Sequence, residues 1–115
     1  MRLKSAIWVA AYLRRCNVEG AFAVVRHRGA DEAGAIFVKI SRQDGTAALF
    51  GPAPQTAFEG ARPHEHLFVA TFKQDFVPDA EVETRIGREL KFDPDLWLIE
   101  VEDRAGRNFL NLAAA

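Results

Sequence analysis

The sequence predicts an α+β fold, an antiparallel or mixed sheet of four to six strands packed against two helices in the order α-β-β-β-β-α-β. Three stretches carry that expectation. Residues 35–41 alternate, with Ile36, Val38 and Ile40 on one face and Phe37 and Lys39 on the other, and Asp44-Gly45 follows as a strong hairpin signal because both residues tolerate positive φ. After Pro78, the residues Val82, Ile86 and Leu90 recur every four positions, the spacing of a helix with one apolar face. Phe92-Asp93-Pro94 then stops that helix, and Trp97, Ile99 and Val101 line one face of an extended run whose other face carries Glu100 and Glu102. Strand runs interrupted by helices and joined by hairpin-style connections belong to the α+β class.

Taken in order, Ser5 is placed to cap a first helix over 7–17, with Asn17 and Gly20 as its stop and Arg14 and Arg15 in the last turn, where cations suit the helix dipole. The β-formers Phe22, Val24 and Val25 give a strand over 21–28, and 29–34 is a glycine-bounded loop. The hairpin joins strand 35–41 to strand 46–50. Gly51-Pro52-Ala53-Pro54 reads as the end of that strand, because proline lacks a donor and restricts the residue before it. A connection runs to Pro63, and 66–73 alternates as another strand. Pro78 suits the first turn of a helix over 79–91, with Asp79 and Glu81 at its positive end. Its exposed face carries Glu83, Arg85, Arg88, Glu89 and Lys91. Strand 95–102 follows; Leu96 and Leu98 share the face of Glu100 and Glu102, so its first half is covered on both sides. Residues 103–106 turn the chain, and 108–112 form a short strand or lie against the sheet.

At 115 residues the chain is expected to be one domain spanning 1–115, with one hydrophobic core. Fifteen basic and sixteen acidic side chains give a net charge of −1, so a dedicated nucleic-acid binder, which shows a basic excess, is disfavoured. The single cysteine, Cys16, forms no internal disulfide and requires no oxidising compartment. The N-terminal apolar run contains Trp8 and Tyr12 and ends in Arg14-Arg15, unlike a signal peptide, and is far shorter than the roughly 20 residues of a membrane span. A cytoplasmic protein with no membrane association is expected.

Several groups have residue types that chemistry could use. His64 and His66, two apart beside Glu65, are a zinc-compatible pair that lacks a third ligand and the usual zinc spacing, so they read as a solvated loop entering an edge strand. Cys16 reads as a small packing residue rather than a nucleophile. Asp93 and Asp95 flank a proline as turn formers, Asp103 falls in the turn after the last strand, and Glu100 and Glu102 read as the solvated side of a sheet. No metal, cofactor or catalytic residue is expected. Trp8 and Trp97 are expected in the core. The candidate ligand-binding residues are Arg14, Arg15, Arg26 and Arg28, which would form a positive patch beside the 29–34 loop if the helix end and the strand end lie together. Gly29 and Gly34 lack the Gly-Lys-Ser/Thr ending of a nucleotide-binding loop.

The pieces Arg2-Leu3-Lys4-Ser5 through Trp8-Val9, Ala11, Leu13-Arg14-Arg15, then Ala23, Val25 and Gly29, then Ala33-Gly34-Ala35-Ile36 through Asp44-Gly45, recur in a recognisable combination. With Phe92-Asp93-Pro94-Asp95-Leu96-Trp97 through Glu100-Val101-Glu102-Asp103, it resembles domain-of-unknown-function family 1491, a group of small uncharacterised bacterial proteins. That resemblance implies a compact cytoplasmic protein and supplies no catalytic residues. The expected function is a non-enzymatic protein-interaction module, a homodimer or a partner-binding protein. The alternative is a binding domain or enzyme that holds an anionic small molecule on the arginine patch.

Overall fold

Trp97–Glu102, the strand β6, is the member about which the sheet is built. The computed structural model describes residues 3–54 and 66–113. Within them, β6 lies between β1 (Phe22–His27), which it meets antiparallel, and β2 (Ile36–Ser41), which it meets parallel. A hairpin leads from β2 to β3 (Thr46–Pro52), which pairs antiparallel with β4 (Phe68–Ala70) and, at its start, with the two-residue β5 (Val77–Pro78). The order across the sheet is β1-β6-β2-β3-β4, with β5 beside β3. Two helices complete the fold, α1 (Ser5–Val18) and α2 (Asp79–Phe92). The sheet is mixed and the class is α+β, as expected.

Side chains alternate along each strand, so every central strand supplies both faces. On one face α1 buries Val9, Tyr12 and Cys16 against Ile36, Val38, Ile40, Trp97, Ile99 and Val101. On the other, α2 buries Val82 and Ile86 against Ala47, Leu49 and Leu98. Each fully buried Val, Leu or Ile contributes roughly 1.5–3 kcal/mol, which makes these two helix–sheet layers the main source of stability. Trp97 anchors the first layer and its indole Nε1–H donates to Ala30 O at 2.8 Å. Trp8 is half-buried, stacked on Tyr12 at 4.8 Å between centroids.

Local departures from expectation have physical causes. The helix α1 starts at Ser5 rather than after it: the Ser5 and Ala6 amides donate to the carbonyls of Glu32 and Asp31, so loop backbone does the capping and the Ser5 hydroxyl donates to Gly34 O at 2.7 Å. In the β2–β3 hairpin, positive φ falls on Gln43 and Gly45, while Asp44 Oδ1 accepts from the Thr46 amide and hydroxyl.

Pro52 belongs to β3 although a proline was expected to end it. The Thr71 amide donates to Leu49 O, so odd-numbered β3 residues turn their backbone groups to β4 and Pro52 turns toward β2. The β2–β3 ladder has already ended at Val38 and Phe50, so the missing amide costs no ladder bond. The strand expected over 66–73 shortens to Phe68–Ala70 and bends through 71–75, and β5 was not foreseen. Gly29 is packed so closely on Asp95 O and Leu96 that a Cβ would collide with backbone, which fixes the loop after β1 against the start of β6.

Candidate functional site

The β1 strand contributes Phe22, Val24 and Arg26 to the face that α2 covers further along the sheet. Beneath the first turns of α2, Lys39 of β2 is only 3% exposed. Its ammonium lies 2.6 Å from Asp79 Oδ1, 2.6 Å from Glu83 Oε2 and 3.9 Å from Glu100 Oε1. Arg26 closes the group, donating from its two terminal nitrogens to both Glu83 oxygens at 2.7 and 2.9 Å and to Glu100 at 3.0 Å. A strand alternation puts Lys39 and Glu100 on one face in adjacent strands, and the helix adds Asp79 and Glu83 one turn apart.

Electrostatics locks this network in its charged form. The hydrogen bond from Arg26 outweighs burial and, with Lys39, holds the Glu83 carboxyl down at about 2. Burial pushes the Lys39 ammonium down, but its bonds to Asp79 and Glu83 and the charge of Glu100 more than reverse that, so its value is raised. A lysine held as ammonium has no free amine to act as nucleophile or base. The network is built to tie helix to sheet.

The four predicted arginines do not converge. Arg14 is exposed on α1 with no ion-pair partner among the described residues. Arg15 lies 3.7 Å from Glu19, near the same helix end. Arg28 pairs with Asp31 at 3.1 Å and sits 5.0 Å over the Trp97 ring, near the helix start that the 31–32 loop caps. Arg14 is nine helical steps from Ser5, about 13–14 Å of rise. Arg26 points to the opposite face of the sheet and is engaged by two acids.

Among the other candidates, Cys16 is fully buried, and burial pushes its thiol up. Asp93 Oδ1 accepts from the Asp95 amide, the expected turn role. Asp103 is buried and holds the turn after β6 through Arg107, whose hydrogen bonds outweigh burial and lower its carboxyl. Glu102 accepts from Gln43 at 2.8 Å, so neither it nor Glu100 is merely solvated. His64 and Glu65 lie outside the described residues; His66 Nε2 is 2.7 Å from Leu3 O, and no group of three ligating side chains among the described residues could hold a metal.

What the sequence reading missed is the edge. The strand β1 ends the sheet order, and Phe22 is 58% exposed, Val24 and Val25 each 38%. Phe37 and Phe72 are half-buried and Phe68 is buried, so the exposed apolar surface of the sheet lies on β1 instead. The available signal was that β1 carries apolar residues on both faces, Phe22 and Val24 on one and Ala23 and Val25 on the other, while the β6 residues beside Phe22 and Val24 are acidic. The Trp97 amide donates to Ala35 O and the Asp103 amide to Ser41 O, so even-numbered β6 residues turn toward β1. Their partners Phe22 and Val24 therefore bond inward, and the backbone groups of Ala23 and Val25 point out of the sheet.

Comparison with known families places the chain. The model of a family described as protein of unknown function DUF1491 matches residues 3–111. The chain belongs to the DUF1491 family. A crystal structure of a DUF1491 protein from Caulobacter crescentus CB15 is 33% identical, with a TM-score of 0.77 over 99% of this chain and 100% of that one. The solution structure of protein Atu0922 from A. tumefaciens is 37% identical, with a TM-score of 0.80 over 100% of this chain and 98% of its own. An NMR structure of a DUF1491 protein from Caulobacter crescentus CB15 is 36% identical, with a TM-score of 0.76 over 99% of each chain. A search of curated proteins found no match. Among the described residues, no helix of this DUF1491 protein is long and apolar enough to cross a membrane.

Proposed function

We propose that this DUF1491 protein is a self-associating module, joined to a second copy through the outer edge of β1. The observation that supports the reading is an edge strand with exposed Phe22, Val24 and Val25 and outward backbone groups at Ala23 and Val25. Natural edges are blunted by charged side chains, proline, a bulge or a covering segment; the bulge of β1 lies beyond Val25, and residues 22–25 carry no charge and no proline.

A second copy fits this edge by symmetry. A two-fold axis perpendicular to the sheet makes the new strand pair antiparallel and keeps each face on its own side, so paired residue numbers must add to an even total. Centring the axis on Val24 lets Ala23 and Val25 of each copy exchange backbone hydrogen bonds with Val25 and Ala23 of the other. A shift toward Ala21 meets an amide already donating to Cys16 O, and a shift the other way meets the bulge between Val25 and His27. In the centred register Val24 faces Val24, Ala23 faces Val25, and Phe22 lies over Arg26. The Arg26 charge is already balanced by Glu83 and Glu100, so no like charges are opposed.

Sedimentation velocity across a concentration series tests the proposal. Wild type should pass from monomer to dimer as concentration rises, and Val24→Lys, which sets two ammonium groups against each other at the axis, should stay monomeric with an unchanged fold. A wild type that remains monomeric up to millimolar concentration contradicts the reading.

A further inference from the structure

At the other end of the sheet the α1 layer stops short. It reaches β4 through Trp8, whose ring lies 5.1 Å from that of Phe68, and beyond this contact a cavity of about 500 Å³ opens between β4, Phe76 and the chain after β6. That volume falls within the roughly 300–1,000 Å³ of small-molecule sites. Phe50, Phe68, Phe76 and Leu112 form its apolar walls. The Phe76 ring is fixed: Arg42 stacks 3.8 Å from its centroid, and Gly106, at φ +73°, leaves room where a Cβ would come 2.5 Å from the ring. A substituent there would close the cavity wall.

Besides Asn108, whose Oδ1 accepts from the Leu110 amide, two polar features belong to the lining. Asp75 is the one charged residue among its lining, is exposed, and has no ion-pair partner among the described residues. Ala70 also lines it; because the Thr71 amide donates to Leu49 O, odd-numbered residues here turn to β3 and the backbone groups of Ala70 turn outward. At Phe68 the same outward positions are taken by Asn111 and Ala113, and no backbone bond of this kind reaches Ala70 from the described residues. Arg42 is on the far side of Phe76, over its ring, and is held by Thr46 and Asp44.

We propose that this cavity binds a small amphipathic cation, an aryl-alkyl ammonium whose ring packs among Phe50, Phe68 and Phe76 and whose ammonium donates to the Asp75 carboxylate and the Ala70 carbonyl. The site is separate from the β1 edge and does not depend on self-association. An anionic ligand of the same shape would meet a carboxylate where the cation meets its partner, so the charge of the ligand decides binding.

Titration of the isotope-labelled protein, followed by amide NMR shifts, with phenethylammonium and with 3-phenylpropanoate is the test. The cation should shift the amides of Ala70, Phe76, Gly106 and Asn108 and bind at least ~tenfold more tightly than the acid. Asp75→Asn should abolish the preference while leaving the folded spectrum intact, and Ala70→Leu, which fills the cavity, should weaken the cation at least ~fivefold. Shifts mapping elsewhere, equal affinity for cation and acid, or a cation affinity unchanged by either substitution overturns the assignment.

Discussion

Lys39 is the residue on which the α2 layer turns. Its ammonium is buried between a strand and a helix and satisfied by Asp79 and Glu83, so removing it leaves two carboxylates facing each other over an apolar void. Breaking a fully buried pair costs about 3–5 kcal/mol; because these acids are partly hydrated, Lys39→Ala should cost roughly 2–3 kcal/mol in urea denaturation, and a loss below about 1 kcal/mol would refute the clamp. The pH dependence has a definite sign. The folded value of Glu83, about 2, lies below its ordinary 4.5, so its contribution is complete above 4.5 and is lost as pH falls from there toward 2. Glu83→Gln should flatten the stability profile in that acid window, and an unchanged slope would count against the network. Lys39 acts at the other end: its raised value means its contribution persists below 10.5 and is lost only as pH climbs beyond it. None of this could be read from the chain. The sequence shows a lysine on the polar side of a strand, and only the arrival of α2 over that face decides that it is buried.

At the scale of elements, the legible parts were those with local chemistry. The 35–41 alternation with its Asp44-Gly45 turn, the four-residue spacing of α2, and the Phe92-Asp93-Pro94 stop each carry their structure in neighbouring residues. The illegible parts depend on distant partners. Pro52 stays in β3 because the β2 ladder ends before reaching it, and β5 is two residues whose pairing with Thr46 and Ala47 is supplied by the fold. The loop after β1 is likewise defined by a contact remote in sequence. Gly29 lies against the backbone of Asp95 and Leu96, where neither atom can swing aside. Gly29→Ala should therefore destabilise by roughly 1–3 kcal/mol, as overpacking does, seen as a lowered thermal midpoint. A neutral Gly29→Ala would mean that this approach is looser than described. The arginine patch failed to assemble for the same kind of reason: α1 spans the sheet, so its two ends carry Arg15 and the partner loop of Arg28 far apart, and alternation sends Arg26 to the other face.

For the whole molecule, the order β1-β6-β2-β3-β4 makes the last strand in sequence an interior one and leaves β1 at the boundary. The 93–106 stretch was legible as a strand with flanking turns, and its place between β1 and β2 was not, since strand order follows from which surfaces meet. That placement has a consequence: β6 offers Glu100 and Glu102 to the face below β1, α2 does not extend there, and Phe22 and Val24 remain exposed beside them. A second β1 covers this edge in a register fixed by the outward groups of Ala23 and Val25. Isotope-filtered NOE spectroscopy on a sample mixing labelled and unlabelled chains at millimolar concentration examines that register directly. Contacts between the two copies of Val24, flanked by contacts from Ala23 to Val25, are predicted; a filtered spectrum without cross-copy contacts, or with contacts only from α1 or α2, would contradict it.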